Sequence, residues 1–168
     1  ITQPTAHQWL NILETTYIAF RIQPHFKNFS KRMVKTPKLY FYDTGLLCYL
    51  LRITDRKQLF EHPLKGAIFE NWVVSELLKS YFHKGLEAPL YFWRDQKGHE
   101  TDLLIDEGKY LFPIEIKSAG TFHPDFLKGP QYLNELQGRK DLLQGLCVYG
   151  GTESFTFKNY QVISWEDL

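Results

Sequence analysis

Hydrophobic and polar residues alternate over residues 98–118, and this alternation predicts a β-hairpin. The two predicted arms cover residues 100–105 and 110–117. Between them lies a short polar turn that contains Gly108, and glycine is favoured where a chain reverses tightly. We therefore expect an antiparallel pair of strands around which the rest of the fold is arranged.

The register of this hairpin decides which side chains share a face, because side chains alternate along a strand. Pairing Asp106 with Lys109 across the turn predicts three further opposed pairs, which are Glu100 with Glu115, Thr101 with Ile114, and Asp102 with Pro113. One predicted face belongs to the core and carries Thr101, Leu103, Ile105, Phe112, Ile114 and Ile116. The other face carries Glu100, Asp102, Glu115 and Lys117, with Leu104 and Leu111 nearer the turn. A slip by one residue would put Asp102 among the isoleucines, so this arrangement is strongly preferred.

The polar face gathers three carboxylates beside one ammonium group. Glu100, Asp102 and Glu115 repel each other when they lie side by side, and Lys117 supplies a single positive charge. Mg²⁺ or Mn²⁺ would supply two more, and Mg²⁺ prefers oxygen ligands such as carboxylates. The pattern therefore predicts a divalent-cation site at Asp102 and Glu115. The alternative is a solvated strand face whose acids hold no ligand.

A long helical pattern over residues 64–82 precedes the hairpin. Its apolar residues recur at helical spacing, as in Phe69, Val73, Leu77 and Tyr81. Glu70 lies beside this stripe near the N-terminus of the predicted helix. One interpretation is an acid favoured by the helix dipole. The other is a further acid that reaches the polar face of the hairpin.

The first part of the chain predicts a helix over residues 6–16 and strands over residues 17–22 and 38–42. Between the strands, residues 23–36 are basic and interleaved with phenylalanines. A helix followed by a two-stranded ribbon with a long basic tip resembles a winged-helix module. Basic side chains there would contact a phosphate backbone, and the predicted nucleic-acid-binding residues are Lys27, Lys31, Arg32 and Lys35. A solvated loop whose phenylalanines pack on the next element is the alternative.

The order of predicted elements indicates an α/β fold with a mixed sheet flanked by helices. We predict a winged-helix-like module over residues 1–60 and a second domain over residues 61–168, with residues 52–63 as a polar linker. Residues 1–65 carry ten Lys and Arg against four Asp and Glu, whereas residues 66–168 carry ten against fifteen. The net charge of +1 thus conceals a basic part and an acidic part, which suggests two different roles.

Several global features limit the class of protein. The sequence contains no run of about 20 apolar residues and no secretory signal, so no membrane span is predicted. Cys48 and Cys147 are too few for a disulfide framework and fit no zinc spacing. We expect buried free thiols in a reducing compartment, the cytoplasm. Because the sequence begins at Ile1 and its single methionine is Met33, we expect a part of a longer protein.

Two segments of the hairpin resemble the PD-(D/E)xK nuclease-like fold. They read GHETD at residues 98–102 and PIEIKS at residues 113–118. In this resemblance Asp102 corresponds to the metal-binding aspartate, and Glu115 and Lys117 correspond to the (D/E)-x-K pair. The resemblance implies a restriction-endonuclease-like core.

A wider resemblance covers most of the chain. The segments KTPKLYFYDTG at residues 35–45 and GAIFENW at residues 66–72, together with the hairpin, are similar to the uncharacterised C-terminal region of prokaryotic AAA+-like ATPases. In that family a P-loop ATPase leads into a winged helix and a nuclease-like domain. Among the PD-(D/E)xK nucleases, the RecB-type and Holliday-resolvase branches have an additional acid, to which Glu70 corresponds. Thr101 stands where that fold usually has a proline. The chain has no G-x-x-x-x-G-K-[ST] motif, so ATP would bind only in an upstream domain.

The resemblance implies a Mg²⁺- or Mn²⁺-dependent phosphodiesterase that acts on nucleic acid, with DNA favoured. Asp102 and Glu115 would hold the cation, Glu70 would hold a second one or orient water, and Lys117 would act on the attacking water and the phosphate. One alternative is a catalytically silent module that binds DNA or protein and regulates the ATPase. Another is a purely structural tail of the ATPase.

Overall fold

The order of elements is described by a computed structural model that covers residues 1–25, 36–139 and 143–168. The α-helices are α1 (Gln3–Thr15), α2 (Thr44–Leu50), α3 (Arg56–Glu61), α4 (Lys65–His83) and α5 (Lys128–Gln137). The first strands are β1 (Ala19–Pro24), β2 (Lys38–Phe41), β3 (Leu90–Arg94), β4 (Glu100–Asp106) and β5 (Leu111–Lys117). They are followed by β6 (Gly145–Tyr149), β7 (Phe155–Phe157) and β8 (Tyr160–Ser164). Short 3-10 helices cover Pro124–Leu127 and Trp165–Asp167.

Within the described residues, these eight strands form one mixed sheet in the order β2-β1-β3-β4-β5-β6-β8-β7. Neighbours β3, β4 and β5 are antiparallel, whereas β5 and β6, and β6 and β8, are parallel. The predicted α/β class with a mixed sheet flanked by helices is thereby confirmed. The predicted hairpin, β4 and β5, lies in the middle of the sheet.

Both faces of the hairpin are buried, because a helix covers each of them. On one face Leu103 and Ile114 pack in a core cluster with Val73 and Val74 of α4. On the other face Leu104, Leu111 and Trp93 pack with Leu133 of α5. Adjacent residues of a strand point to opposite faces, so α4 and α5 lie on opposite sides of the sheet. The polar side chains at one end of this hairpin are consequently enclosed between layers.

The predicted register of the hairpin is wrong by two residues. Asp106 pairs with Leu111, not with Lys109, and Leu104 pairs with Pro113. The turn is longer than predicted because the amide of Glu107 donates to the backbone oxygen of Tyr110 (3.0 Å). A shift of two residues leaves every side chain on its predicted face. It also brings Asp102, one step beyond the last described pair, across from Glu115 in place of Pro113.

The first part of the chain continues into the same sheet. Strand β1 pairs with β2 on one side and with β3 on the other, through Gln23 and Pro24. The stretch predicted to be a linker contains α3, which begins after the N-cap Asp55. The basic residues Lys27, Lys31, Arg32 and Lys35 lie outside the described residues. No helix in the described ranges has the length and apolar character needed to cross a membrane.

Candidate functional site

Three side chains of the hairpin form a closed cluster between the sheet and α5. Oδ2 of Asp102 accepts a hydrogen bond from the backbone amide of Ile116 (2.9 Å) and lies 3.3 Å from Nζ of Lys117. The same ammonium donates to Oε1 of Glu115. Asp102 and Glu115 are 9% and 7% exposed, whereas the side chain of Lys117 is 34% exposed. Two buried carboxylates therefore share one cation that still reaches solvent.

Glu115 is the most perturbed acid of this cluster. Burial, and then the charge of Asp102, raises the pKa of Glu115 to about 8, although Lys117 acts in the opposite direction. Its Oε1 binds Lys117, but its buried Oε2 has no hydrogen-bond partner within the described part of the chain. A buried oxygen without a donor is costly. This oxygen is thus the atom that a cation or a proton would satisfy.

Lys117 keeps its proton in this environment. Burial lowers the pKa of an ammonium group, but here the charges of Asp102 and then Glu115 outweigh it, so the pKa of Lys117 is raised above its usual value. A lysine that stays charged supplies one positive charge to the carboxylate pair and can stabilise negative charge on a substrate. It is a weak proton acceptor at neutral pH.

The start of α5 closes one side of the cluster, and it depends on a glycine. A methyl group on Cα of Gly129 would lie 2.0 Å from the backbone oxygen of Glu100 and 3.6 Å from Oε2 of Glu115. Only a residue without a side chain allows the helix to approach strand β4 this closely. This role of Gly129 has no signal in the local sequence, because the contact joins residues that are distant in the chain.

Glu70 is held in a second cluster by residues that sequence analysis did not select. Nζ of Lys38 lies 3.0 Å from Oε1 of Glu70 and 2.8 Å from Oε1 of Glu100. The hydroxyl of Tyr40 donates to the same Oε1 of Glu70 (2.6 Å). Burial, followed by the charge of Glu70, raises the pKa of Tyr40. Glu70 is therefore linked to the hairpin through Lys38 and Glu100.

The four acids named from the sequence are thus divided between two lysines. Glu70 and Glu100 share Lys38, and Asp102 and Glu115 share Lys117. Across the described ranges, no group of three or more His, Cys, Asp or Glu side chains is arranged to hold a metal ion. The role of Glu70 as a metal ligand stays a prediction.

Asp102 and Glu115 nevertheless fit a divalent cation that prefers oxygen. Mg²⁺ is commonly bound through only one or two carboxylates, with water and substrate phosphate completing its octahedron. The pair offers hard oxygen donors, one of them Oε2 of Glu115, which has no hydrogen-bond partner among the described residues. The nearby thiol of Cys147 favours its neutral form, because burial and then the charge of Glu115 raise its pKa to about 12.

An apolar cleft adjoins the second cluster. It has a volume of about 360 Å³ and lies between β2, α2 and α4, with Leu39, Leu47 and Leu64 among its lining residues. Lys38 and Glu70 line it too. The cleft does not include Asp102, Glu115 or Lys117, so it is not evidence for a site at the carboxylate pair. The evidence for that site is the burial and charge of the pair and the buried Oε2 of Glu115.

Comparison with known proteins gives a family match for most of the chain. Residues 65–168 match a family described as a domain of unknown function, DUF4143, and residues 1–57 match a second domain of unknown function, DUF8612. Two curated relatives, uncharacterized protein Mb2031c of Mycobacterium bovis and uncharacterized protein Rv2008c of Mycobacterium tuberculosis, are each 36% identical over 121 residues. These residues are 72% of this chain and 26% of each relative, so the chain spans about a quarter of their length. No solved structure matches the chain.

Proposed function

This chain belongs to the DUF4143 family of domains of unknown function, and we propose that it is a divalent-cation-dependent phosphodiesterase with a restriction-endonuclease-like core. The observation that carries the proposal is the buried pair of Asp102 and Glu115, which Lys117 bridges and in which one oxygen has no hydrogen-bond partner in the described part of the chain. Aspartate, glutamate and lysine on one face of a central hairpin also agree with the resemblance to PD-(D/E)xK nucleases.

Each of these side chains has a role that its surroundings support. Asp102 and Glu115 would hold Mg²⁺ or Mn²⁺, which supplies a Lewis acid for the phosphate and lowers the pKa of water. Lys117, which is charged and 34% exposed, would stabilise the negative charge that develops on the phosphate. The amide of Ile116 holds Asp102 in place (2.9 Å). Within this proposal Glu70 stays a further acid of the site.

A catalytically silent binding module is the second candidate, and one observation favours it. The ammonium of Lys117 already contacts both carboxylates, at 3.3 Å in the case of Asp102. If this bridge persists in solution at physiological Mg²⁺, the cation has no place and the domain would only bind nucleic acid or protein. The two candidate functions therefore differ in whether a divalent cation displaces Lys117 from the two carboxylates.

Cleavage assays with matched variants separate the two candidates. We expect the wild-type chain to cleave DNA in Mg²⁺ or Mn²⁺, and Asp102→Asn and Lys117→Met to lower the rate by about 10²–10³, as for the loss of a preorganised charge-stabilising group. The matched control is the half-buried ion pair of Glu76 and Lys79 on α4, whose charged atoms are 2.7 Å apart. Glu76→Gln and Lys79→Met should cleave like wild type.

Substrates should include linear, branched and single-stranded DNA, and RNA of the same sequence. If wild type cleaves none of these substrates although calorimetry shows that it is folded and binds Mn²⁺, the phosphodiesterase proposal is wrong. The catalytically silent binding module would then be the better account. Cleavage that is unchanged by Lys117→Met would contradict the role given to this lysine.

Nucleic acid is the partner that the basic segment supports. We propose that residues 1–60 form a winged-helix-like module in which Lys27, Lys31, Arg32 and Lys35 contact phosphates. Replacing all four by glutamine should weaken DNA binding and reduce the slope of log K against log salt by roughly 3–4. An unchanged slope, measured by fluorescence anisotropy, would exclude this segment.

The parent protein is proposed to be a cytoplasmic AAA+-type ATPase. Support comes from the resemblance of the chain to the C-terminal regions of such proteins, and from relatives about four times longer than the matched segment. ATP would then bind in another domain of the parent. Nucleotide titration of this chain alone should therefore show no binding, and stoichiometric ATP binding would contradict the proposal.

A further inference from the structure

The ammonium group of Lys38 lies between the carboxylates of Glu70 and Glu100. Nζ of Lys38 lies 3.0 Å from Glu70 and 2.8 Å from Glu100. A divalent cation bridging two carboxylates lies about 2.0–2.6 Å from their oxygens, so the ammonium stands where such an ion would stand. From this geometry we propose that Lys38 is a built-in cation that keeps a second metal position closed.

The cluster around Lys38 is held in place from several sides. The side chains of Lys38, Glu70 and Glu100 are 24%, 23% and 29% exposed. Tyr40 donates to Glu70 at 2.6 Å, which fixes the carboxylate relative to β2. Such partly buried contacts are screened by salt much less than exposed ones. Lys38 is therefore a persistent occupant of the position.

Charge explains why the position has to be filled. Burial lowers the pKa of Lys38, but the charges of Glu70, Asp102 and Glu100 outweigh it, so the pKa is raised above its usual value. The effect of Asp102 on Lys38 shows that the two lysine-centred clusters act on each other. Without Lys38, the cations paired with the four acids among the described residues would be Lys117 and the more exposed Arg94, whose Nε lies 3.6 Å from Oε2 of Glu100.

The consequence is a fixed number of cations. With Lys38 present, Glu70 and Glu100 are already paired with an ammonium group, and the protein takes one divalent cation, at Asp102 and Glu115. Removing the ammonium of Lys38 opens a second position whose ligands are Glu70 and Glu100. This inference rests on the proposed function only for the first cation, because the second depends on Lys38 alone.

Counting Mn²⁺ ions tests the inference without measuring cleavage. Isothermal calorimetry, with electron paramagnetic resonance of free Mn²⁺, should give one ion for wild type and two for Lys38→Met. The double variant Lys38→Met, Glu70→Gln should return to one ion. Lys38→Arg keeps the charge and Arg94→Met removes a more exposed cation, so both should bind one ion.

The outcomes distinguish this inference from the proposed function. If wild type binds no Mn²⁺ and Lys38→Met binds one, the first site fails while the inference about Lys38 stands. Two ions in wild type, or equal numbers in wild type and Lys38→Met, overturn the inference. Circular dichroism melts of each variant establish folding, and a Lys38→Met protein that does not fold is replaced by Lys38→Gln, which retains a polar group beside Glu70.

Discussion

The titration of Glu115 makes the energetic cost of the site measurable. The pKa of Glu115 is raised from about 4.5 to about 8 in the folded protein, chiefly by burial and then by Asp102. Between these two pH values the folded protein holds a proton that the unfolded chain has released. The free energy of unfolding must therefore fall as pH rises through this window, by about 1.4 kcal/mol per pH unit.

Glu115→Gln removes this titration and keeps the size of the side chain. In the presence of EDTA, the stability of wild type should fall by roughly 2–3 kcal/mol more than that of the variant between about pH 5.5 and about pH 7.5. Glu115 is only 7% exposed, so solvent screening reduces this difference little. Urea unfolding at four pH values, with the slope m held common, measures it. Glu76→Gln should follow wild type, because the side chain of Glu76 is 39% exposed and lies outside the cluster.

Parallel pH profiles for wild type and Glu115→Gln would refute this reasoning. They would mean that Glu115 is ionised at neutral pH in the folded protein, and that Lys117 outweighs burial. Adding Mg²⁺ gives an independent check of the direction of the Glu115 pKa shift, since a cation binds the ionised carboxylate. Mg²⁺ should stabilise wild type more at about pH 8 than at about pH 6, and the variant should lose most of this dependence.

Two further predictions concern how the site is held in place. Gly129→Ala should destabilise the protein by about 1–3 kcal/mol, because the added methyl group would lie 2.0 Å from the backbone oxygen of Glu100. Gly66→Ala is the control, since Gly66 is also the second residue of its helix and an added methyl group there would meet only a serine hydroxyl at 3.9 Å; this variant should be stabilised by up to about 1 kcal/mol. Equal effects of the two substitutions in urea unfolding would show that α5 does not approach β4 closely at Gly129. Asn71→Ala should cost about 1–3 kcal/mol, because the amide of Asn71 pairs with both backbone groups of Phe41 (2.7 and 3.0 Å), and an unchanged midpoint would contradict that reasoning.

The faces of the hairpin could be predicted from the sequence, but its register could not. Alternation alone separates Leu103 from Asp102, and it survives any shift by two residues. The register depends on the turn, where Gly108 has φ +79° and its amide donates to Asp106 (2.8 Å). Several turns suit this polar segment equally well by residue type. The error mattered, because the true register brings Asp102 across from Glu115.

The second cluster, in which Lys38 contacts Glu70 and Glu100, could not be predicted from the sequence for a different reason. Lys38 and Glu70 are distant in the chain, and each carries an ordinary local signal, a strand residue and an acid near a helix N-terminus. Their contact arises only when α4 packs over the sheet and β2 joins its edge. In the same way, no feature within residues 128–137 shows that Gly129 meets Glu100. Local pattern predicted the elements, whereas contacts between elements assembled the site.

The two lysines lead to opposite expectations, although each bridges two carboxylates. Lys38 lies between acids that are both hydrogen-bonded or paired, and Tyr40 also fixes Glu70. Lys117 lies beside Glu115, whose buried Oε2 has no hydrogen-bond partner within the ranges that the structure describes. The side chain of Lys117 is 34% exposed, against 24% for Lys38. A divalent cation should therefore bind more strongly at Asp102 and Glu115. There it would contact this oxygen of Glu115, and the ammonium of Lys117 could move aside into solvent. The same movement would carry the Lys117 ammonium toward a bound phosphate, so that the residue paired with the two carboxylates would also be the one that acts on the substrate.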